Sequence, residues 1–94
     1  MTKVTLRYFA SVREALGSTR EEANVHGATM SDVLAWLVSA HGDKLIPVVF
    51  DVKKKLRAEY RLLHNGSVCL PAAFSKEKVS DGDEVVIMPP VAGG

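Results

Sequence analysis

Cysteine occurs once in this sequence, as Cys69. A single thiol cannot close an intramolecular disulfide, and no second cysteine is available to share a tetrahedral metal site with it. Placed inside a short apolar run, Cys69 reads as inert packing, and a reducing cytoplasm is the compartment such usage fits. Excess charge of either sign is also missing: 12 Lys and Arg stand against 11 Asp and Glu, a formal net charge of +1. Any anion-binding surface would therefore have to come from local clustering, and nucleic acid is not an expected partner. No apolar stretch is long enough for a signal peptide or a membrane span, so no membrane role is expected. Repeats, low-complexity tracts and linkers are absent. His26, His41 and His64 fall on different elements without metal-ligand spacing, and no metal site is expected.

What remains is a chain for one small domain. Its 94 residues suffice for a single core but not for two, and 47% hydrophobic with 24% charged residues is the balance of a globular fold, not a disordered one. We therefore expect one domain over residues 1–94, with residues 89–94 as an extended tail.

Local patterns give the order of elements. Residues 4–9 alternate, with Val4, Leu6 and Tyr8 on one face and Thr5, Arg7 and Phe9 on the other, as in a half-buried strand. Ser11-Val12-Arg13-Glu14 has the form of a capping box opening a short helix that Gly17 stops. Residues 19–25 suit an edge strand returning antiparallel to the first. Thr29 opens the principal helix, whose stripe runs through Met30, Val33, Leu34, Leu37 and His41, with Asp32 in its first turn; Gly42 is expected to end it. Trp36 lies beside that stripe and should widen the buried face. Pro47 then interrupts an apolar run and three lysines follow, Lys53 to Lys55, so residues 43–59 read as irregular, solvated structure.

Residues 60–64 and 67–70 make a hairpin around Asn65-Gly66, a dipeptide suited to the two positive φ angles of a tight turn. Residues 71–80 form a connection with a helical turn near Phe74, and Asp81-Gly82-Asp83 turns into a last strand, residues 84–88, with Val85 and Ile87 facing the core. If the first and last strands are parallel neighbours, the long helix covers one face of a mixed sheet of about five strands. This is a two-layer α+β fold, the β-grasp of ubiquitin-like proteins.

The tail carries the expected chemistry. Pro89-Pro90-Val91-Ala92-Gly93-Gly94 cannot continue a ladder, and its prolines favour an extended polyproline conformation of ~3.1 Å per residue, a reach of roughly 19 Å. Without a Cβ, Gly93 and Gly94 could enter a narrow slot in a partner. The carboxylate of Gly94, with a reference pKa of ~3.3 to 3.7, is an anion near neutrality and needs activation before a nucleophile can attack it. Transfer of AMP from ATP would supply a good leaving group, after which sulfur would give a thiocarboxylate and an amine an amide. Catalysis then belongs to partner enzymes.

The stretch Tyr8-Phe9-Ala10-Ser11-Val12-Arg13-Glu14, the turn His64-Asn65-Gly66, and Asp81-Gly82-Asp83-Glu84-Val85 leading to the Pro-Pro-Val-Ala-Gly-Gly ending resemble the MoaD branch of the MoaD/ThiS family of ubiquitin-like sulfur carriers. The resemblance implies that Gly94 is adenylated by an E1-like enzyme of the MoeB/ThiF type, using ATP, and becomes a thioglycine. It further implies that the tail inserts, through Gly93, into the large subunit of molybdopterin synthase, which holds a pterin precursor. A ubiquitin-like modifier joining Gly94 to lysines of target proteins is the alternative from a different class. A ThiS-type carrier for thiazole synthesis is another, less well matched because of the extra stretch before the third strand.

Strand parity adds a partner surface. On the face away from the helix, Phe9, Val86 and Met88 are apolar where water is expected, and Leu63 should join them near the tail's root. Exposed apolar clusters of this kind mark docking sites. Phe9, Leu63, Val86 and Met88, with Pro89, Pro90, Val91 and Ala92 of the tail, are the expected partner contacts.

Overall fold

The computed structural model describes residues 1–53 and 55–90. Its five strands are β1 (Thr2–Tyr8), β2 (Arg20–Val25), β3 (Arg61–His64), β4 (Ser67–Cys69) and β5 (Glu84–Met88); its helices are α1 (Ala10–Leu16) and α2 (Met30–Val49), with a 3-10 turn at Pro71–Ala73. The sheet order is β2-β1-β5-β3-β4. β1 and β5 are parallel, and the other neighbours are antiparallel. This is the expected β-grasp.

Alternation along the strands fills one face of the sheet. Val4, Leu6 and Tyr8 of β1, Ala23 and Val25 of β2, Leu62 of β3 and Val85 and Ile87 of β5 are buried together with Met30, Val33 and Leu37 of α2 and Val12 of α1. Each large aliphatic side chain so buried contributes ~1.5 to 3 kcal/mol, which is why the sheet holds both helices on this side.

The start of α2 follows its sequence signals. Thr29 is the N-cap: its hydroxyl accepts from the Asp32 amide at 3.3 Å, and the Asp32 carboxylate accepts from the Thr29 amide at 3.1 Å. Gly27 has φ +107°, and a Cβ there would collide with the Asp32 carboxylate, so the approach to this cap requires glycine. At Asn65 and Gly66, φ is +50° and +87°, as a two-residue hairpin turn needs.

Three expectations fail locally. α1 has no capping box at Ser11; Phe9 is its N-cap and makes no side-chain cap bond. The chain leaves β1 through a positive φ at Ala10, which puts Ser11 inside the helix, where its hydroxyl lies 3.0 Å from the Tyr60 hydroxyl. α2 does not end at Gly42: it kinks at His41 (φ −130°, ψ 20°) and continues through Pro47 to Val49. The stripe itself continues at steps of four through Leu37, His41, Leu45 and Val49, and burial of Leu45 and Val49 outweighs the hydrogen bond lost at Pro47. The stretch after α2, expected to be irregular, carries a bridge between Phe50 and Leu56 and a bond from the Arg57 amide to the Val49 carbonyl.

Candidate functional site

The face of the sheet away from the helices is the candidate site. Its register sets one row across all five strands: Arg20, Arg7, Val86, Leu63 and Val68. One half of that row is cationic and the other apolar. A second row, nearer the end of β5, pairs Met88 with Arg61. Because Tyr8 is level with Ile87 in the parallel pair, the next step of the register sets Phe9 level with Met88, beside the root of the tail.

The four residues expected to form the patch thus share a face, but not equally. Phe9 is 36% exposed, while Leu63 and Met88 are half-buried. Val86 corrects the expectation of an exposed side chain: only 7% of it is accessible. It lies on the central strand with Arg7 and Leu63 abreast of it, and those longer side chains leave it as the floor of the patch rather than its rim. Pro89 is half-buried and Pro90 exposed. Val91, Ala92, Gly93 and Gly94, the tail positions on which the expected chemistry rests, lie outside the described residues.

Two apolar members of the face escaped the sequence reading. Val68, 53% exposed, is the register partner of Leu63, and Leu70 follows it two residues later, also exposed. The signal was present: a two-residue turn at Asn65-Gly66 dictates that His64 opposes Ser67 and Leu63 opposes Val68. They extend the apolar half to the sheet edge.

The cationic half opens into a groove of about 680 Å³ whose lining includes Arg7, Phe9, Arg13, Thr19, Arg20 and Glu84. The Arg7 guanidinium lies 5.5 Å from the centre of the Phe9 ring, within cation–π range, and 3.7 Å from Glu84. Three guanidinium groups thus share the groove with one carboxylate. Arg13, from α1, belongs to this cluster.

Elsewhere the titratable groups are tied up structurally. Tyr8 donates to the Glu21 carboxylate at 2.7 Å; burial, then that hydrogen bond, pushes its phenol far above the ordinary range and keeps it a neutral donor. His41, at the kink of α2, meets the same carboxylate at 2.7 Å and packs edge-on against Tyr8 and Trp36. Burial, with the Glu77 carboxylate, pushes the Cys69 thiol up to about 11, so it stays protonated and unreactive. Among the described residues, no helix is long and apolar enough to cross a membrane.

A half-cationic, half-apolar sheet face beside the end of β5 is what the similarities to known proteins place in context. The model of the ThiS family matches residues 6–94. The chain belongs to that family of ubiquitin-like sulfur carriers. It is 37% identical over 89 residues to small archaeal modifier protein 1 of Haloferax volcanii, covering 94% of this chain and 97% of the relative. The crystal structure of that protein superposes with a TM-score of 0.84 at 33% identity, over 98% of this chain and 99% of the other. The molybdopterin synthase sulfur carrier subunit of Chlamydomonas reinhardtii is 32% identical over 97 residues, 98% of this chain and 99% of the relative. A chain of the Amycolatopsis orientalis BexX/CysO complex matches with a TM-score of 0.69 at 25% identity, over 97% of this chain and 99% of that one. Carriers of this type work with partner proteins.

Proposed function

We propose that this protein carries sulfur on the carboxylate of Gly94, as the small subunit of a molybdopterin synthase. The observation that carries the reading is the family match through residue 94, which includes the Gly93-Gly94 ending. A carboxylate oxygen of Gly94 attacks the α-phosphorus of ATP on an E1-like enzyme, releasing pyrophosphate and leaving an acyl adenylate. A hydrosulfide-level donor then displaces AMP and gives the thiocarboxylate. The tail delivers that sulfur to a pterin precursor held by the large subunit. The outer sheet face serves both partners in turn, with Phe9, Leu63 and Met88 as apolar contacts, Val86 beneath them and Pro89 to Ala92 entering with the tail.

Similarity to the Haloferax modifier protein favours a second reading, in which the same adenylate is taken by a lysine of a target protein to form an isopeptide bond. The two readings share activation and differ in the nucleophile. Intact mass spectrometry of the native protein, with partners retained, tests both. Replacement of one oxygen by sulfur at Gly94, with a larger subunit bound, is the expected result. Lysine conjugates without any sulfur-loaded form would overturn the first reading in favour of the second. An unmodified terminus in cells that assemble the cofactor would overturn both.

A further inference from the structure

The helix side of the molecule has a groove apart from the sheet face described above. It measures about 890 Å³ and is lined by Leu34 and Val38 of α2, by Lys55 and Leu56 beyond it, and by the buried Phe50 and Phe74. Leu34 and Val38 are spaced i, i+4 and so lie together on a flank of α2 beside the stripe that faces the core. Val38 is 38% exposed, whereas Phe50 and Phe74 are buried. The stretch that carries Lys55 is fixed by its own backbone: the Asp51 carboxylate accepts from the Lys53 and Lys55 amides at 2.8 and 3.0 Å, and the Asp51 amide donates to the Lys55 carbonyl at 2.8 Å. The Asp51 carboxylate is thereby turned into its own loop. Among the described residues lining the groove, Lys55 carries the one charge.

From this we infer that the groove docks an amphipathic helix of a partner protein, with an apolar ridge at i and i+3 or i+4 and an Asp or Glu set against Lys55. The groove offers side chains rather than a free sheet edge. An extended peptide would bring backbone amides and carbonyls onto apolar walls without partners, whereas a helix satisfies its own. A free fatty acid would match the lysine and the apolar lining, but the open side would leave much of its chain in water; a helix turns a polar face there. The groove lies on the opposite side of the sheet from the face described above, so it can be filled while that face is engaged.

The test is selection of a displayed library of short peptides against the full chain, followed by NMR mapping of the winners. The expected winners are amphipathic and acidic, and they shift the resonances of Leu34, Val38, Leu56 and Phe74. Val38→Asp should weaken them about tenfold or more, a change of ~1.4 kcal/mol, while Phe9→Asp leaves their binding unchanged. Lys55→Glu should weaken acidic winners and be rescued when their carboxylate is replaced by lysine, which a general loss of folding would not produce. Retained amide dispersion in both groove variants provides the folding control. Winners confined to the Phe9 and Leu63 face, or indifferent to Lys55→Glu, overturn the inference. So does oleate shifting the groove resonances when no peptide does, or a concentration-dependent dimer that Val38→Asp dissolves.

Discussion

His64 lies between two carboxylates, with Nε2 2.7 Å from Asp83 Oδ2 and Nδ1 2.8 Å from Glu77 Oε2. Only the imidazolium can donate from both nitrogens at once. The arrangement joins the end of β3 to the turn that starts β5, since Asp83 also accepts from the Ser80 amide at 2.8 Å.

A pH dependence follows. Burial alone would lower the His64 pKa, but its hydrogen bonds to Asp83 and Glu77 outweigh it and raise the folded value above 6.5. Hydrogen bonding from His64, then from the Ser80 amide, lowers Asp83 below 3.8. The stabilisation from His64 is fully present below pH 6.5 and is lost as pH rises through the raised folded pKa; that from Asp83 is present above pH 3.8 and is lost as pH falls through the lowered one. The cluster should therefore stabilise most between those limits. Urea unfolding from pH 5 to pH 9 should show stability falling through the raised histidine pKa, and His64→Gln should flatten that fall. Equal slopes in the two proteins would contradict the assignment.

The cap of α2 is testable through Thr29 and Gly27. Thr29→Ala removes the oxygen that accepts from the Asp32 amide and should cost ~1 kcal/mol, or about 4 to 8 °C in Tm for a domain of this size. Gly27→Ala should cost more, because it adds a collision with the Asp32 carboxylate to a φ that L-residues resist. Thermal unfolding followed by circular dichroism ranks the two; the reverse order would mean that the backbone at residue 27 can relax.

Much of this fold was readable because the decisive signals are local. Alternation in residues 4–9, the Thr29 cap and Asn65-Gly66 each act within a few positions. The sheet order then needed only one long-range step, the parallel pairing of β1 with β5. The misses arise where tertiary packing overrides a local rule. Gly42 and Pro47 read as stops, yet Leu45 and Val49 keep the spacing of the stripe and their burial holds the helix together past both. Val86 read as exposed because strand parity tells which face a side chain occupies, not whether its neighbours cover it. The candidate surface was legible in Phe9, Leu63 and Met88; the groove of Arg7, Arg13 and Arg20 was not, because it joins three elements.

Disrupting the apolar half should separate binding from folding. Phe9→Asp with Met88→Glu places two charges on a face that is not part of the main core. If this surface docks partners, loss of such anchors costs ~2 kcal/mol or more, roughly a thirtyfold fall in affinity. Sulfur loading of Gly94, read as intact mass, should fall with it, while circular dichroism and Tm stay near those of the parent. Normal loading in the double variant would remove this face from the activation step.

The cationic half should act on the rate of encounter rather than on residence. Arg7, Arg13 and Arg20 surround one groove, and among its described lining residues Glu84, 3.7 Å from Arg7, is the one carboxylate. Exposed charges attract over about a Debye length, ~8 Å at physiological ionic strength, so their pull on an acidic partner is strongest at low salt. Association rates measured by stopped flow should fall steeply as salt rises, and Arg13→Glu with Arg20→Glu should lower them at low salt while leaving dissociation nearly unchanged. The salt dependence should flatten in the same variant. If dissociation changes instead, these arginines form close pairs with the bound partner, and the groove is part of the tightly packed interface rather than its rim.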